Sequence, residues 1–358
     1  MTIALAGLPL AGKTCLFDAL SEGAVDSTAN PARPDRPNTA SVAVPDERLD
    51  WLHAHYEVPK KVPVHLEWLD LPGLAPGRSD LESQNTQILE HLRRADTLVY
   101  VLRAFESENV PGGARPEADR DALAGEFLLA DLGVVERRIE KVEAQMAKPV
   151  PNRDALQAEH AFLQRCRAAL EAEQPLQGAC ETEVERNILR NFAALTLKPT
   201  VTVLNVDEHD AGRPDAVAAA HPDLPRPVFG LCASLEAEIR SLPPDEQAAF
   251  LEEMGLDRLH TPGLLTGVRE ALDRITFYTT GEKEVAARSL PRGACALEAA
   301  GSVHTDMAHG FIRAEVVAFE DLKAAGDLKQ AKADGHVRLE GRDYLVRDGD
   351  VIFFHFSR

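Results

Sequence analysis

Short apolar runs alternate with helical stretches through the first part of the chain. Ile3 to Ala6 is such a run, and Thr14 to Leu20 opens a helix behind it. Val64 to Leu69 and Thr97 to Leu102 follow. Val201 to Leu204 comes after the breaker Lys198-Pro199, and Val228 to Leu231 is the last of the series. Apolar strands separated by helices predict an α/β fold with a doubly wound, mostly parallel sheet.

The period changes between Asp119 and Leu195. Leu128, Leu132, Val135, Ile139, Val142 and Met146 recur at three- and four-residue steps, with Glu, Arg and Lys between them. Pro149 and Pro151 break that helix, and a second carries Leu156, Leu163, Cys166 and Leu170. Two amphipathic helices joined by a Pro-containing loop predict an antiparallel coiled-coil hairpin. Such a hairpin is either a packed structural arm or a docking arm, and its insertion between two sheet strands favours docking. After about Ile275 strands return. Ala314 to Ala318, Tyr344 to Val346 and Val351 to Phe356 are expected strands, with Glu340-Gly341 and Asp348-Gly349 as turns. Arg33 to Asn38 reads as an irregular loop.

The length of 358 residues favours two or three domains over one core. Apolar residues make up 44% and charged residues 27%, the texture of a soluble globular protein. There is no apolar run of about 18 residues, so no membrane helix is expected. Met1 to Ala6 has no basic segment before its apolar run, so it reads as a core strand and not as a signal peptide. Cys15, Cys166, Cys180, Cys232 and Cys295 are widely spaced and form no C-x-x-C pair. Neither a disulfide framework nor a zinc site fits them, and a reducing cytoplasm is the simple expectation. The net charge of −19 argues against general binding to a phosphate backbone.

The chemistry starts at Gly7-Leu-Pro-Leu-Ala-Gly12-Lys13-Thr14, a match to G-x-x-x-x-G-K-[ST]. The glycines let backbone N–H groups turn toward the α- and β-phosphates of a nucleotide. Lys13 reaches the β/γ-phosphates, and the Thr14 hydroxyl ligates Mg²⁺. Leu10, Ala11 and Cys15 complete the candidate phosphate-facing set. The phosphates then meet the positive end of the following helix. The motif follows a strand and opens a helix, the context that gives it meaning.

Asp70-Leu-Pro-Gly73 ends the strand Val64 to Leu69. A carboxylate there holds Mg²⁺, usually through water, and the Gly73 N–H meets the γ-phosphate. Asn205-Val-Asp-Glu208 ends the strand Val201 to Leu204, where GTPases carry N-K-x-D. Val206 replaces the Lys that flanks the base, and Glu208 is one methylene longer than the guanine-reading Asp. Guanine recognition is therefore weakened. Base recognition is assigned to Asn205 and to Val206, including its backbone, with Glu208 beside them. Cys232-Ala233-Ser234 flanks the base from its other side.

These motifs, in this order, resemble the YchF/Obg-like ATPase family of P-loop proteins, over nearly the whole chain. The likeness includes Val44-Pro-Asp-Glu-Arg-Leu-Asp50, Leu129-Ala-Asp-Leu132 and Lys198-Pro199. It is strongest in Phe277-Tyr-Thr-Thr-Gly281-Glu-Lys-Glu-Val285, His304-Thr-Asp306, Gly310 to Val316, Arg338 to Tyr344 and Asp348-Gly-Asp-Val351. The tail resembles the family's C-terminal α+β TGS domain, which is β-grasp-like. The resemblance implies a P-loop G domain (1–118 and 196–275), a helical insertion (119–195) and a TGS domain (276–358). It also implies a cytoplasmic monomer that binds Mg·ATP or Mg·GTP with adenine preferred, hydrolyses it slowly and associates with the ribosome or ribosome-associated RNA or protein.

The departures cluster where hydrolysis happens. Leu10 stands where the family usually carries an Asn that helps hold potassium. The Thr that ends the family's first switch falls on Pro34, with Thr39 a nearby substitute. The second switch, Ala75-Pro-Gly-Arg-Ser-Asp-Leu-Glu-Ser, is poor in glycine, and Phe105-Glu106 leads to Val110-Pro-Gly-Gly113 without the family's loop His. Losing a cation site and a water-positioning group costs several kcal/mol of barrier, at about 1.4 kcal/mol per tenfold in rate. Two functions remain open: a slow nucleotide hydrolase acting as a switch, and a hydrolysis-deficient nucleotide-binding scaffold. No catalytic residue is assigned. A P-loop kinase would leave D-x-x-G and N-V-D-E unexplained. His304, Asp306 and Arg313 are accounted for equally well by turn and strand roles.

Overall fold

A computed structural model of the chain describes residues 1–22, 27, 31–110, 112–149, 151–174 and 176–357. In chain order the elements are β1 (Thr2–Ala6), α1 (Lys13–Ser21), β2 (Asn38–Ala43), α2 (Glu47–Tyr56), β3 (Lys60–Val62), β4 (His65–Asp70), α3 (Glu82–Arg94) and β5 (Thr97–Ala104). The helices α4 (Pro116–Met146), α5 (Arg153–Glu171) and α6 (Glu183–Phe192) come next. Then follow β6 (Thr200–Val206), α7 (Pro214–Ala219), β7 (Val228–Leu231), α8 (Ala233–Ser241), α9 (Pro244–Glu253) and α10 (Thr261–Ala271). The chain ends with β8 (Arg274–Thr280), β9 (Glu284–Pro291), α11 (Ala296–Val303), α12 (Thr305–His309), β10 (Phe311–Ala318), α13 (Phe319–Ala325), α14 (Leu328–Ala333), β11 (Arg338–Glu340) and β12 (Asp350–Phe356). Backbone contacts divide the chain into two compact units. One holds Met1–Val42 and Glu67–Leu264; the other holds Ala43–Leu66 and everything from Leu265 onward.

The first unit is built on a sheet of order β2-β4-β1-β5-β6-β7. β1 pairs parallel with both β4 and β5, and β5–β6 and β6–β7 are parallel too. Its central strands are covered on both faces, which is why they read as unbroken apolar runs. Ile3, Ala4, Leu5, Val99, Val101, Val201 and Val203 are buried. The strands expected in this sheet all form. β2, in contrast, was not anticipated, and its first residue, Asn38, falls at the end of the expected loop. Only Val42 of Asn38–Ala43 is buried, so this strand at the sheet's edge carries no apolar run to betray it. Within the preceding segment, Arg33 and Arg36 form an isolated bridge.

The helical insertion is a hairpin of α4 and α5 closed by α6. Its core contains Val135, Ile139, Val142, Leu156, Phe162, Leu163, Cys166 and Leu170. The first turns of α4 belong to a different core. Leu123 and Phe127 pack with the sheet, where the Phe127 ring lies 5.9 Å from that of Tyr100. One continuous helix therefore serves two cores. At the change of partner sits Asp131, a buried carboxylate. Its Oδ1 accepts from Arg93 Nη1 at 2.6 Å and Leu195 N at 3.0 Å, and its Oδ2 from Thr196 N at 2.9 Å and Thr196 Oγ1 at 2.8 Å. This clamp fixes the root of the hairpin to the end of α3 and to the segment entering β6.

The second unit carries a sheet of order β11-β10-β12-β8-β9-β3. β10 and β12 are antiparallel, β12 and β8 parallel, and β3 is added parallel to β9. Phe277, Ile275, Ala299, Ala314, Val316 and Ile352 fill its core. The expected strand Tyr344 to Val346 does not form. Leu345 makes one isolated bridge with Cys295, and the Tyr344 hydroxyl instead joins Arg338 Nη2 (2.9 Å) to Asp350 Oδ2 (2.8 Å). Two backbone bonds, Ala296 N to Tyr344 O (2.8 Å) and Val346 N to Ala294 O (3.0 Å), flank that bridge, and with the side-chain bonds they hold the segment without extending into a strand. A polar network links three of the family-like motifs at once. Asp46 caps α2 through Oδ1 and accepts the Tyr278 hydroxyl on Oδ2 at 2.6 Å. Arg48 lies over the Tyr278 ring and donates to Asp348 Oδ2 at 2.8 Å, while Asp348 Oδ1 accepts Thr276 N at 2.8 Å.

Removing the Asp131 carboxylate leaves Arg93 and three further donors without their acceptor. Asp131→Ala is expected to cost about 3–5 kcal/mol, the usual penalty for breaking a buried pair. Urea unfolding measures it, and a loss below about 1 kcal/mol would contradict the clamp.

Candidate functional site

The loop between β1 and α1 is shaped by two close approaches. A Cβ on Gly7 would lie 2.6 Å from the Val101 carbonyl oxygen. Gly12 has φ 89°, and a Cβ there would lie 2.0 Å from Asn205 Nδ2. No side chain can occupy either place without moving backbone or a buried amide. Leu10 also has a positive φ, 63°, and is 57% exposed. A branched apolar residue in this left-handed region is strained. α1 then starts at Lys13 and directs its free N–H groups and positive dipole end into the loop.

Lys13 is buried, and its Nζ donates to the carbonyl oxygens of Gly7 (3.2 Å) and Leu8 (3.0 Å). Burial pushes its pKa down to about 8, against a smaller opposing pull from Asp70. The Thr14 hydroxyl donates to Asp70 Oδ2 at 3.1 Å. Burial pushes the Asp70 carboxyl up to about 6, although the Thr14 bond and the Lys13 charge work the other way. Its Oδ1 is buried and accepts no hydrogen bond. An orphaned carboxylate oxygen beside a hydroxyl is a hard donor pair that suits Mg²⁺.

Asp70 leads into a loop that folds back on the first one. Leu74 N donates to Gly7 O at 3.1 Å. A Cβ on Gly73 would lie 2.3 Å from Pro9 N and 2.7 Å from the Leu8 carbonyl carbon, so glycine is required there by contact with the neighbouring backbone.

At the other end of the site Asn205 has a role that the sequence did not reveal. It was expected to read a base. Its Nδ2 instead donates to Ala11 O at 3.0 Å, and its Oδ1 accepts Ala233 N at 2.9 Å. The side chain is buried and braces the phosphate loop against the start of α8. Asp207 is likewise spent, accepting Asp210 N at 3.1 Å. Val206 is buried and Glu208 is exposed at the rim. Cys232 caps α8 without a side-chain bond to the backbone, and its Sγ lies 3.4 Å from Ser234 Oγ.

These segments enclose a cavity of about 850 Å³. Of the residues expected at the site, Leu10, Gly12, Lys13, Thr14, Cys15, Gly73, Asn205, Val206, Glu208 and Ser234 line it. Gly7, Ala11, Asp70, Cys232 and Ala233 stand behind the wall, joined to it by the contacts above. Neither Pro34 nor Thr39 reaches the cavity. The first-switch segment contributes Ser27, Pro31 and Ala32, and the Ser27 hydroxyl donates to Asp18 Oδ2 at 2.6 Å. Phe105, Ser107 and His209 also line the space and went unrecognised. Phe105 ends a strand next to a buried arginine. Arg103 donates to Phe105 O (3.2 Å) and Gly113 O (2.8 Å), which fixes the wall. Only the position of Phe105, at a sheet's C-terminal edge, would have signalled it. Of the segment Val110 to Gly113, residue 111 lies outside the described residues.

Residues 2–130 match the family model described as 50S ribosome-binding GTPase, and residues 274–357 match YchF-GTPase_C, described as a protein of unknown function. The chain is 36% identical over 370 residues to the ribosome-binding ATPase YchF of Bacillus subtilis, covering 100% of this chain and 99% of that one. It is 33% identical to Obg-like ATPase 1 of Oryza sativa subsp. japonica, covering 100% of this chain and 92% of that one. The structure of the Schizosaccharomyces pombe YchF GTPase superposes with a TM-score of 0.84 at 24% identity, over 99% of this chain and 97% of the other. That likeness shows the P-loop fold.

Leu10→Gly relieves the strained loop residue. It is expected to raise stability by about 1 kcal/mol, read as a higher urea midpoint at unchanged slope. Asp70 gives a pH-dependent test. Its folded-state value lies above the unfolded one, so the carboxyl withdraws stability as pH rises from about 4 to about 6. Asp70→Asn is therefore expected to stabilise the nucleotide-free protein by about 3 kcal/mol above pH 6 and by progressively less below it. Thermal unfolding between pH 4 and pH 8 checks the sign; a variant less stable than wild type at pH 7 contradicts it.

Proposed function

We propose a function from the premise that the chain belongs to the YchF/Obg-like ATPase family. It binds a purine nucleoside triphosphate with Mg²⁺ in the cavity beside β1, hydrolyses it slowly and acts as a nucleotide-dependent switch on the ribosome or on ribosome-associated RNA or protein. The convergence of Lys13, Thr14 and Asp70 at the mouth of a helix carries this proposal. We further propose that the chain works as a cytoplasmic monomer. The working division is a G domain (1–118 and 196–275), a helical arm (119–195) that docks the partner, and a TGS domain (276–358).

In this mechanism the Lys13 ammonium leaves the carbonyl oxygens of Gly7 and Leu8 for the β/γ-phosphates. Its depressed pKa means that binding takes up a proton wherever the free protein holds Lys13 neutral. The amides of the loop and of the first turn of α1 neutralise the α- and β-phosphates. Thr14 and Asp70 would hold the metal, Asp70 through water, and the metal supplies charge that favours departure of the terminal phosphoryl group. Gly73 offers its N–H to the γ-phosphate. At the base, Val206 supplies an apolar wall with its own backbone as the polar reader, Glu208 lies at the edge, and Cys232 to Ser234 close the other side. Asn205 acts by fixing Ala11 and Ala233.

A second reading rests on Leu10. Its side chain has no oxygen, and Thr39, exposed in β2, does not line the cavity, so two groups that would complete a hydrolytic site are not supplied by these residues. The chain is then a nucleotide-binding scaffold. Single-turnover hydrolysis with and without potassium separates the two. Phosphate release no faster than from Lys13→Ala sinks the enzyme and leaves the scaffold.

ATP is expected to bind at least as tightly as GTP, because Val206 and the longer Glu208 replace a guanine reader. Calorimetry with Mg²⁺ measures both. A tenfold preference for GTP, about 1.4 kcal/mol, overturns the assignment at Asn205 to Glu208.

A further inference from the structure

We infer that Asn85, on α3, is a positioning residue for the triphosphate end of the site, holding the loop that presents the Gly73 amide. This rests on the nucleotide reading above and adds a residue to it. Asn85 is buried. Its Nδ2 donates to Ala75 O at 2.9 Å and its Oδ1 accepts Ala75 N at 3.2 Å. One side-chain amide thus satisfies both backbone groups of a single loop residue, as a neighbouring strand would.

The effect is to divide the second loop in two. From Asp70 to Ala75 the chain is pinned throughout. Asp70 is bonded to Thr14, Leu71 and Leu74 are buried, Leu74 N is bonded to Gly7 O, and Ala75 is held by Asn85. Leu71, Pro72 and Gly73 in this half line the cavity. Beyond Ala75 the restraint loosens to a turn bond from Arg78 N to Ala75 O at 3.4 Å. Gly77 has open space around its Cβ direction, and Arg78 and Asp80 bond to each other on the surface. Helix α3 is itself fixed. Ile88 and Leu92 are in the sheet core, and Arg93 is clamped to Asp131. Asn85 therefore cannot recoil from Ala75. The Gly73 amide stands ready at the phosphate end before any ligand arrives, and the cost of ordering it is paid in folding.

A diphosphate does not reach this amide, whereas a triphosphate does. Loss of the Asn85 clamp should spare the first and weaken the second. Calorimetry on the full-length protein with Mg·ADP and with Mg·AMPPNP, for wild type, Asn85→Ala and Asn85→Asp, tests this. Asp keeps an acceptor for Ala75 N–H and loses the donor to Ala75 O, so it serves if the alanine variant fails to fold. ADP affinity is expected to stay within about twofold, while AMPPNP affinity falls about tenfold in Asn85→Ala and less in Asn85→Asp. A ratio of the two affinities that stays at the wild-type value overturns the inference, whether both fall together or neither moves. Wild-type protein that binds neither nucleotide would refute the site itself, an outcome distinct from an unchanged ratio.

Discussion

The contact on which the site depends is between a glycine with no side chain and a buried amide. Gly12 lets Asn205 approach so closely that even a methyl group would overlap its nitrogen. Through that approach Asn205 reaches Ala11 O with one end and Ala233 N with the other. Three segments far apart in sequence, the phosphate loop, the end of β6 and the start of α8, are joined by one side chain. A buried amide with both ends used is rigid, because freeing either end leaves an unpaired polar group out of water. The cavity keeps its shape in the absence of ligand for this reason.

Around this brace the protein keeps charge where folding alone would not. Lys13 is driven down toward neutrality by burial and Asp70 is driven up. Burial disfavours the charged form of each, and a polyanion beside Lys13 or a cation beside Asp70 would favour it again. Leu10, at a positive φ of 63° in the same loop, adds local backbone strain beside them. The orphaned oxygen of Asp70 and the carbonyl-bound ammonium of Lys13 are both groups whose better partners lie in a ligand.

The clamps away from the cavity follow one design. Asp131, Asp46 and Asp348 are carboxylates that accept from an arginine, a tyrosine or backbone amides drawn from separate segments. Each joins segments that lie far apart in the sequence. Asp131 stands where α4 passes from the sheet core to the hairpin core. Burial opposes ionisation of Asp348, yet Arg48 and the Thr276 amide outweigh it and hold the carboxyl below its ordinary value. These three aspartates lie within sequence stretches that looked family-like, and their hydrogen bonds supply the physical reason for those stretches.

By itself the sequence determined the parallel strands, the hairpin helices and the phosphate loop. Each of those rests on local physics: apolar runs buried on two faces, a helical period, and glycines whose backbone freedom is needed within a few residues. It did not disclose β2, whose single buried residue, Val42, leaves no pattern, nor that the pairing at Tyr344 to Val346 stops at one isolated bridge flanked by two backbone bonds. Asn205 was legible as a site residue but its role was not, because a polar residue at a strand end looks the same whether it faces a ligand or a neighbouring backbone. Phe105, Ser27, His209 and Asn85 came only from the tertiary structure. Their partners, Arg103, Asp18 and Ala75 among them, are set by how strands and helices cross, and the distance between a donor and its acceptor is not written in either residue.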